Sequence, residues 1–205
     1  MDVGTVIGFW GVALLLILVP GADWAYAIGG GARGRVVAAV GGLLVGYVAM
    51  TGVTAAGVGA VVAASPTALG VLTLVGGGYL VWLGVRALLR PAAVGEAGGE
   101  VTGAWSTLAR GAAVSGLNPE GLLLFVVVLP QFTDAASSWP VAGQVCVLGL
   151  VYLVACAAVY GVVATAARGL LRARPGAGIV LARVSGSAMV LVGGLLLAER
   201  AAGSL

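Results

Sequence analysis

Asn118-Pro119-Glu120-Gly121 sits between Ala112–Leu117 and the apolar run Leu122–Leu129. In a soluble loop this tetrapeptide would be an ordinary turn. Inside a helix, proline removes a backbone donor and clashes with the preceding turn, so the helix is expected to break here. A carboxylate such as Glu120 within a stretch apolar enough to span a membrane is costly, and its default meaning is functional. Pro20-Gly21-Ala22-Asp23 repeats the theme with a proline, a glycine and an acid.

Composition decides what kind of helix is being broken. Apolar residues make up 61% of the 205-residue chain, only 8% are charged, and histidine is absent. Soluble domains carry about 45–50% apolar and about 25% charged residues. Long, nearly chargeless runs fit spanning helices and not the alternating pattern of outer-membrane barrels. The expected fold class is therefore an all-α polytopic membrane protein with the lipid bilayer as its surroundings. Met1-Asp2 lacks the basic n-region of a signal peptide, so the first apolar run is expected to stay as a span.

Six spans can be drawn: Val3–Ala32, Val36–Ala64, Ala68–Val85, one beginning after Arg110 and running to about Phe132, Pro140–Ala167, and Val184–Ala198. The first, about 45 Å long as one helix, exceeds a hydrocarbon core of about 30 Å, which suits a break at Pro20-Gly21. Gly42 and Gly46 fall on one face of the second span at the small-xxx-small spacing that permits close helix contact. Ser65-Pro66-Thr67 reads as a short turn, and residues 91–103, rich in glycine, as a flexible linker between two halves. Trp82, Trp105 and Trp139 are expected at the membrane interface.

The net charge of +3 matters less than its placement, since all ten basic residues are arginines. Nine of them fall in or beside the loops that follow spans 1, 3 and 5. By the positive-inside rule these loops are cytoplasmic and both termini face outward. The arginines do not form the clustered basic face of a nucleic-acid-binding module.

Three spans per half means that a second half built like the first runs in the opposite direction, the geometry of inverted-repeat transporters. The expected architecture is thus six transmembrane helices as two inverted three-helix repeats, 1–90 and 104–205, joined by a cytoplasmic linker, 91–103. Depth agrees. Pro20 is 13 residues before Arg33 and Pro119 nine after Arg110, about 20 Å and about 14 Å if helical, so both breaks fall near the middle of the core. Freed amides and carbonyls at that depth must face protein or water, and exposed helix ends attract ions. Asp23 and Glu120 add titratable oxygens, able to hold a substrate ammonium in one state and protons in another. Pro20, Gly21, Asp23, Asn118, Pro119, Glu120 and Tyr47 are the candidate substrate-binding residues, with Asp23 and Glu120 also the candidates for proton coupling. The plainer reading makes each proline a kink whose acid satisfies a freed amide. Tyr26 could line the cleft or simply pack with one hydrogen bond.

Other chemistry lacks its residues. There is no Gly-x-x-x-x-Gly-Lys-Ser/Thr loop for ATP. With no histidine, and with Cys146 and Cys156 away from the breaks, zinc catalysis and a thiol relay are not expected. Neither catalytic residues nor a cofactor are assigned. Both cysteines, on one helix about 15 Å apart, read as small apolar side chains.

At these residues the sequence resembles the lysine exporter (LysE) family, which includes the homoserine/threonine efflux relatives. Val19-Pro20-Gly21-Ala22-Asp23, followed by Gly34-Arg35 and the Gly41–Gly46 helix, is similar to the family's Pro-Gly-Pro signature and glycine-rich second span. Arg110-Gly111, Leu117-Asn118-Pro119-Glu120 and Phe125 through Leu129-Pro130-Gln131-Phe132 resemble its Asn-Pro and Pro-Gln-Phe block. Gly78-Tyr79-Leu80-Val81-Trp82-Leu83-Gly84 fits the third span. The resemblance implies a proton-driven exporter of amino acids or related small metabolites, a homo-oligomer in the bacterial plasma membrane. Two departures stand out: Ala22 replaces the signature's second proline, and Glu120 stands where the family usually has lysine. The alternatives are export of an inorganic cation, as elsewhere in the superfamily, and a non-transporting membrane scaffold subunit.

Overall fold

The computed structural model describes residues 1–19, 21–64, 66–89, 103–173 and positions 183, 186–187, 190–191, 193–195, 197–198 and 200–202. Pro20, Ser65, the linker apart from Gly103, and much of the sixth expected span lie outside the described residues. Among those described, the structure is helical and contains no strand. In chain order come α1 (Val3–Ile17), α2 (Ala22–Ala32), α3 (Val36–Ala64), α4 (Pro66–Leu89), α5 (Ala104–Gly116), α6 (Pro119–Leu123) and α7 (Val141–Ala173). A π turn, Leu124–Val128, and a 3-10 turn, Leu129–Phe132, continue α6.

Both expected breaks are present. α1 and α2 meet at 69°, and the helix ending at Gly116 resumes at 51° to itself after Asn118. Among the described residues two unbroken segments, Val36–Gly57 and Val141–Ala166, are long and apolar enough to cross a membrane; each bent pair adds one more if it counts as a single span.

Several helices outrun their expected limits. α4 extends to Leu89 instead of Val85, and α7 to Ala173 instead of Ala167, so Arg168 and Arg172 fall within helix. The fourth span starts at Ala104, six residues before Arg110. Good helix formers continue past the apolar run, and arginine can reach outward while its stem stays against apolar surface. Ser106 in the first turn of α5 accepts the Gly103 amide at 3.2 Å, and Thr107 bonds the Gly103 carbonyl at 2.8 Å.

α3 and α5 pack with their backbones in close approach. A Cβ on Gly42 would run into the Leu108 carbonyl, and one on Gly46 into Ser115 and the Ala112 carbonyl at 2.6 Å. The Ser115 hydroxyl donates across this contact to the Leu43 carbonyl at 2.8 Å. The Gly42–Gly46 spacing is therefore a helix contact, held by close backbone approach and a shared polar bond.

The core runs through α1, α2, α3, the α6 continuation and α7, with Phe9, Ile17, Leu43, Tyr47, Phe125, Leu129, Leu148 and Cys156 buried. Outward, Val53, Val154 and Val162 are exposed by 74, 63 and 65%. Apolar side chains that face away from the protein in the middle of long helices suit lipid. Trp82, Trp105 and Trp139 are also exposed, with Arg86 stacked over the Trp82 ring at 5.4 Å.

Candidate functional site

Asn118 is extended because the residue before proline is driven out of the helical region, and its φ and ψ are −68° and 119°. That conformation makes it the cap of α6, with Pro119 in the first turn where a missing amide costs nothing. Its Oδ1 accepts the Glu120 amide at 3.1 Å. Its Nδ2 is left to donate elsewhere, and it donates to Asp23 Oδ2 at 3.0 Å.

The first break resolves its backbone groups differently. The cap of α2 is Gly21, which has no side chain to accept from its first amides. The Leu18 amide bonds Leu14, the Val19 amide bonds Leu16, and the Trp24 indole donates to the Ile17 carbonyl at 2.8 Å. Trp24 thus reaches back over the break and satisfies a carbonyl that α1 leaves without a helical partner.

The two breaks cross. Asp23 is the second residue of α2, and it is bonded by the cap of α6. Glu120 is the second residue of α6, and its Oε2 lies 2.8 Å from where a Cβ on Gly21, the cap of α2, would stand. Each acid sits against the start of the other half-helix.

The environments of the two acids differ. Asp23 is 2% exposed, and three donors converge on its Oδ2: the Tyr47 hydroxyl from α3, Asn118, and the Tyr160 hydroxyl from α7 at 3.1 Å. Among the described residues, its other oxygen, Oδ1, is buried without a hydrogen-bond partner. Glu120 is partly exposed. Arg33 and Arg110 lie near Tyr26, and Tyr79 lies near both Arg86 and Glu120.

An aromatic wall backs the site. Tyr47 lies edge-on to Tyr152 at 4.9 Å and stacks on Phe125 at 6.1 Å, while Phe125 and Tyr152 meet edge-on at 5.4 Å. Cys156 is buried on the same helix, four residues from both Tyr152 and Tyr160.

Of the residues singled out from sequence, the structure brings Asp23, Tyr47, Asn118, Glu120 and Gly21 to one place. Pro119 starts α6, and Pro20 lies outside the described residues. Tyr26 stands apart, its hydroxyl donating to the Thr107 carbonyl. Tyr160, Tyr152 and Trp24 were not singled out, and Cys156 was read as a plain apolar residue. The signal for three of them was available: 152, 156 and 160 are spaced by four, one face of a helix, and all three carry polar atoms in an otherwise apolar run. Nothing local marks Trp24 as the partner of Ile17.

Comparison with known proteins identifies the family of the chain. The chain matches the family described as LysE type translocator over residues 14–200. A protein of Vibrio cholerae serotype O1 described as an uncharacterized membrane protein is 28% identical over 156 residues, 73% of this chain and 74% of the relative. No solved structure matches the chain. With most of its length inside the family match and its apolar helices broken at two facing points, the chain is a membrane protein that belongs to the LysE type translocator family.

Proposed function

We propose that the protein is a secondary transporter that exports amino acids or related small metabolites across the plasma membrane by exchange for protons, with Asp23 and Glu120 as the groups that alternate between substrate and proton. One observation carries the reading: a buried aspartate is gripped through one oxygen by three different helices while its other oxygen has no partner among the described residues. A carboxylate that only stapled a kink would be expected to use both oxygens or to be replaced by a neutral residue, since a buried acceptor without a donor is costly. An acceptor left open at a crossing of two half-helices suits a site that binds and releases a cation.

The mutual contact of the two breaks fits an architecture of two inverted three-helix repeats, 1–90 and 104–205; the arginine placement favours both termini outside, and the family resemblance implies a homo-oligomer. Tyr47 and Tyr160 would hold the carboxylate in place, and Asn118 would couple the two half-helices, because it caps one and bonds the acid of the other. Movement of either half-helix would then change what Asp23 can reach.

Proteoliposomes containing the full chain, given an imposed pH gradient, are expected to exchange amino acid or amine for protons, and Asp23→Asn is expected to lower the exchange by about two orders of magnitude, in line with about 1.5–3 kcal/mol for a hydrogen bond to a charged group. Undiminished exchange by both Asp23→Asn and Glu120→Gln would sink the carboxylate mechanism.

A further inference from the structure

The crossing also speaks to what kind of molecule it takes. We propose that its substrate is an aliphatic amine or diamine whose carboxylate is absent or masked, in preference to the free amino acid, because Glu120 already occupies the place a substrate carboxylate would use. The inference rests on the transport reading above and narrows it.

A carboxylate bound inside a membrane protein needs either a cation or the start of a helix, where amides lack helical acceptors and carry partial positive charge. Two helix starts meet at this crossing, and a side chain of the protein already stands at each. α2 is 11 residues long and its cap, Gly21, offers no side chain; the Glu120 carboxylate lies against that cap, its Oε2 2.8 Å from the Cβ position. At α6 the Asn118 side chain covers the Glu120 amide at 3.1 Å.

What remains open at the crossing is an acceptor. Among the described residues, Asp23 Oδ1 is buried without a partner while Oδ2 holds three donors. The Tyr47 hydroxyl bonds the neighbouring oxygen, so an aromatic ring backed by Tyr152 and Phe125 adjoins the carboxylate, and aromatic rings attract cations. Two acids, a free acceptor and an aromatic wall fit an ammonium and its alkyl chain. A zwitterion would bring a third carboxylate beside the two already there, which is how like charges select against a competitor.

Matched pairs that differ only by the carboxylate test this: lysine against cadaverine, and arginine against agmatine. Binding is measured calorimetrically on the full chain in detergent, and flux by counterflow in proteoliposomes with protein-free liposomes subtracted. Cadaverine and agmatine are expected to bind at least about tenfold more tightly than their parent amino acids, and Glu120→Gln is expected to shrink that preference to within about threefold. Equal or tighter binding of lysine and arginine by the unaltered protein overturns the inference and leaves the transport reading standing. The wild-type ratio decides the matter even where Glu120→Gln fails to fold. Silence from all four probes in both assays also overturns it. The transport reading falls with it only where a wider panel of amino acids and amines also fails to exchange for protons.

Discussion

The two helix breaks place an acid at the same point, the second residue of the helix that resumes, and then treat it in opposite ways. Asp23 is enclosed and held by Tyr47, Asn118 and Tyr160. Glu120 is partly exposed and rests against a glycine. The reason lies in the caps. Asn118 can satisfy its own helix with Oδ1 and still spend Nδ2 on the other break. Gly21 has nothing to give in return, so Glu120 gains no matching bond. The donors that hold Asp23 thus have no counterpart from the cap that faces Glu120.

Three substitutions probe that contrast, from the largest expected effect downward. Asn118→Ala removes the α6 cap and one donor to Asp23 together, so detergent-solubilised protein is expected to lose about 2–3 kcal/mol in unfolding experiments, with exchange lowered accordingly. A loss near that of a simple surface change would mean the two breaks are not coupled through this residue. Tyr160→Phe removes one of three donors while keeping the ring, and about 1 kcal/mol of stability is expected to go; in proteoliposomes its exchange should fall by less than that of Asp23→Asn. If the two variants were equally impaired, the three-donor grip would be wrong. Gly21→Ala adds a methyl group where Glu120 Oε2 lies, and the flexible carboxylate can swing aside. Its stability is expected to change by only about 0.5 kcal/mol, yet its preference between cadaverine and lysine should weaken, as in Glu120→Gln. An unchanged preference would detach Glu120 from the start of α2.

The packing beneath the site follows a rule that is local and readable. Gly42 and Gly46 announce a close contact by spacing alone, and α3 meets α5 there. The neighbouring Tyr47 lies one residue past Gly46, on a helix already held tight, which is how its hydroxyl can be aimed at Asp23 without slack. Ser115 ties the same two helices one turn from the second break.

The sequence alone determined that this is an apolar helical membrane chain, that its helices break at Gly21 and at Asn118-Pro119, and that each break carries an acid. Those features are local: hydropathy over a span's length, and the steric effect of proline and glycine on the backbone they occupy. Only the tertiary structure decided that the breaks touch, that Asp23 is saturated on one oxygen and open on the other, that Tyr160 of a distant helix completes the grip, and that Trp24 closes the end of α1. These depend on which helices pack together and at what angle, and a pair such as Asp23 and Tyr160, 137 residues apart in sequence, meets only once a bundle has brought α2 against α7. Side-chain direction within that bundle, set by packing and not by composition, is what separates the enclosed acid from the partly exposed one.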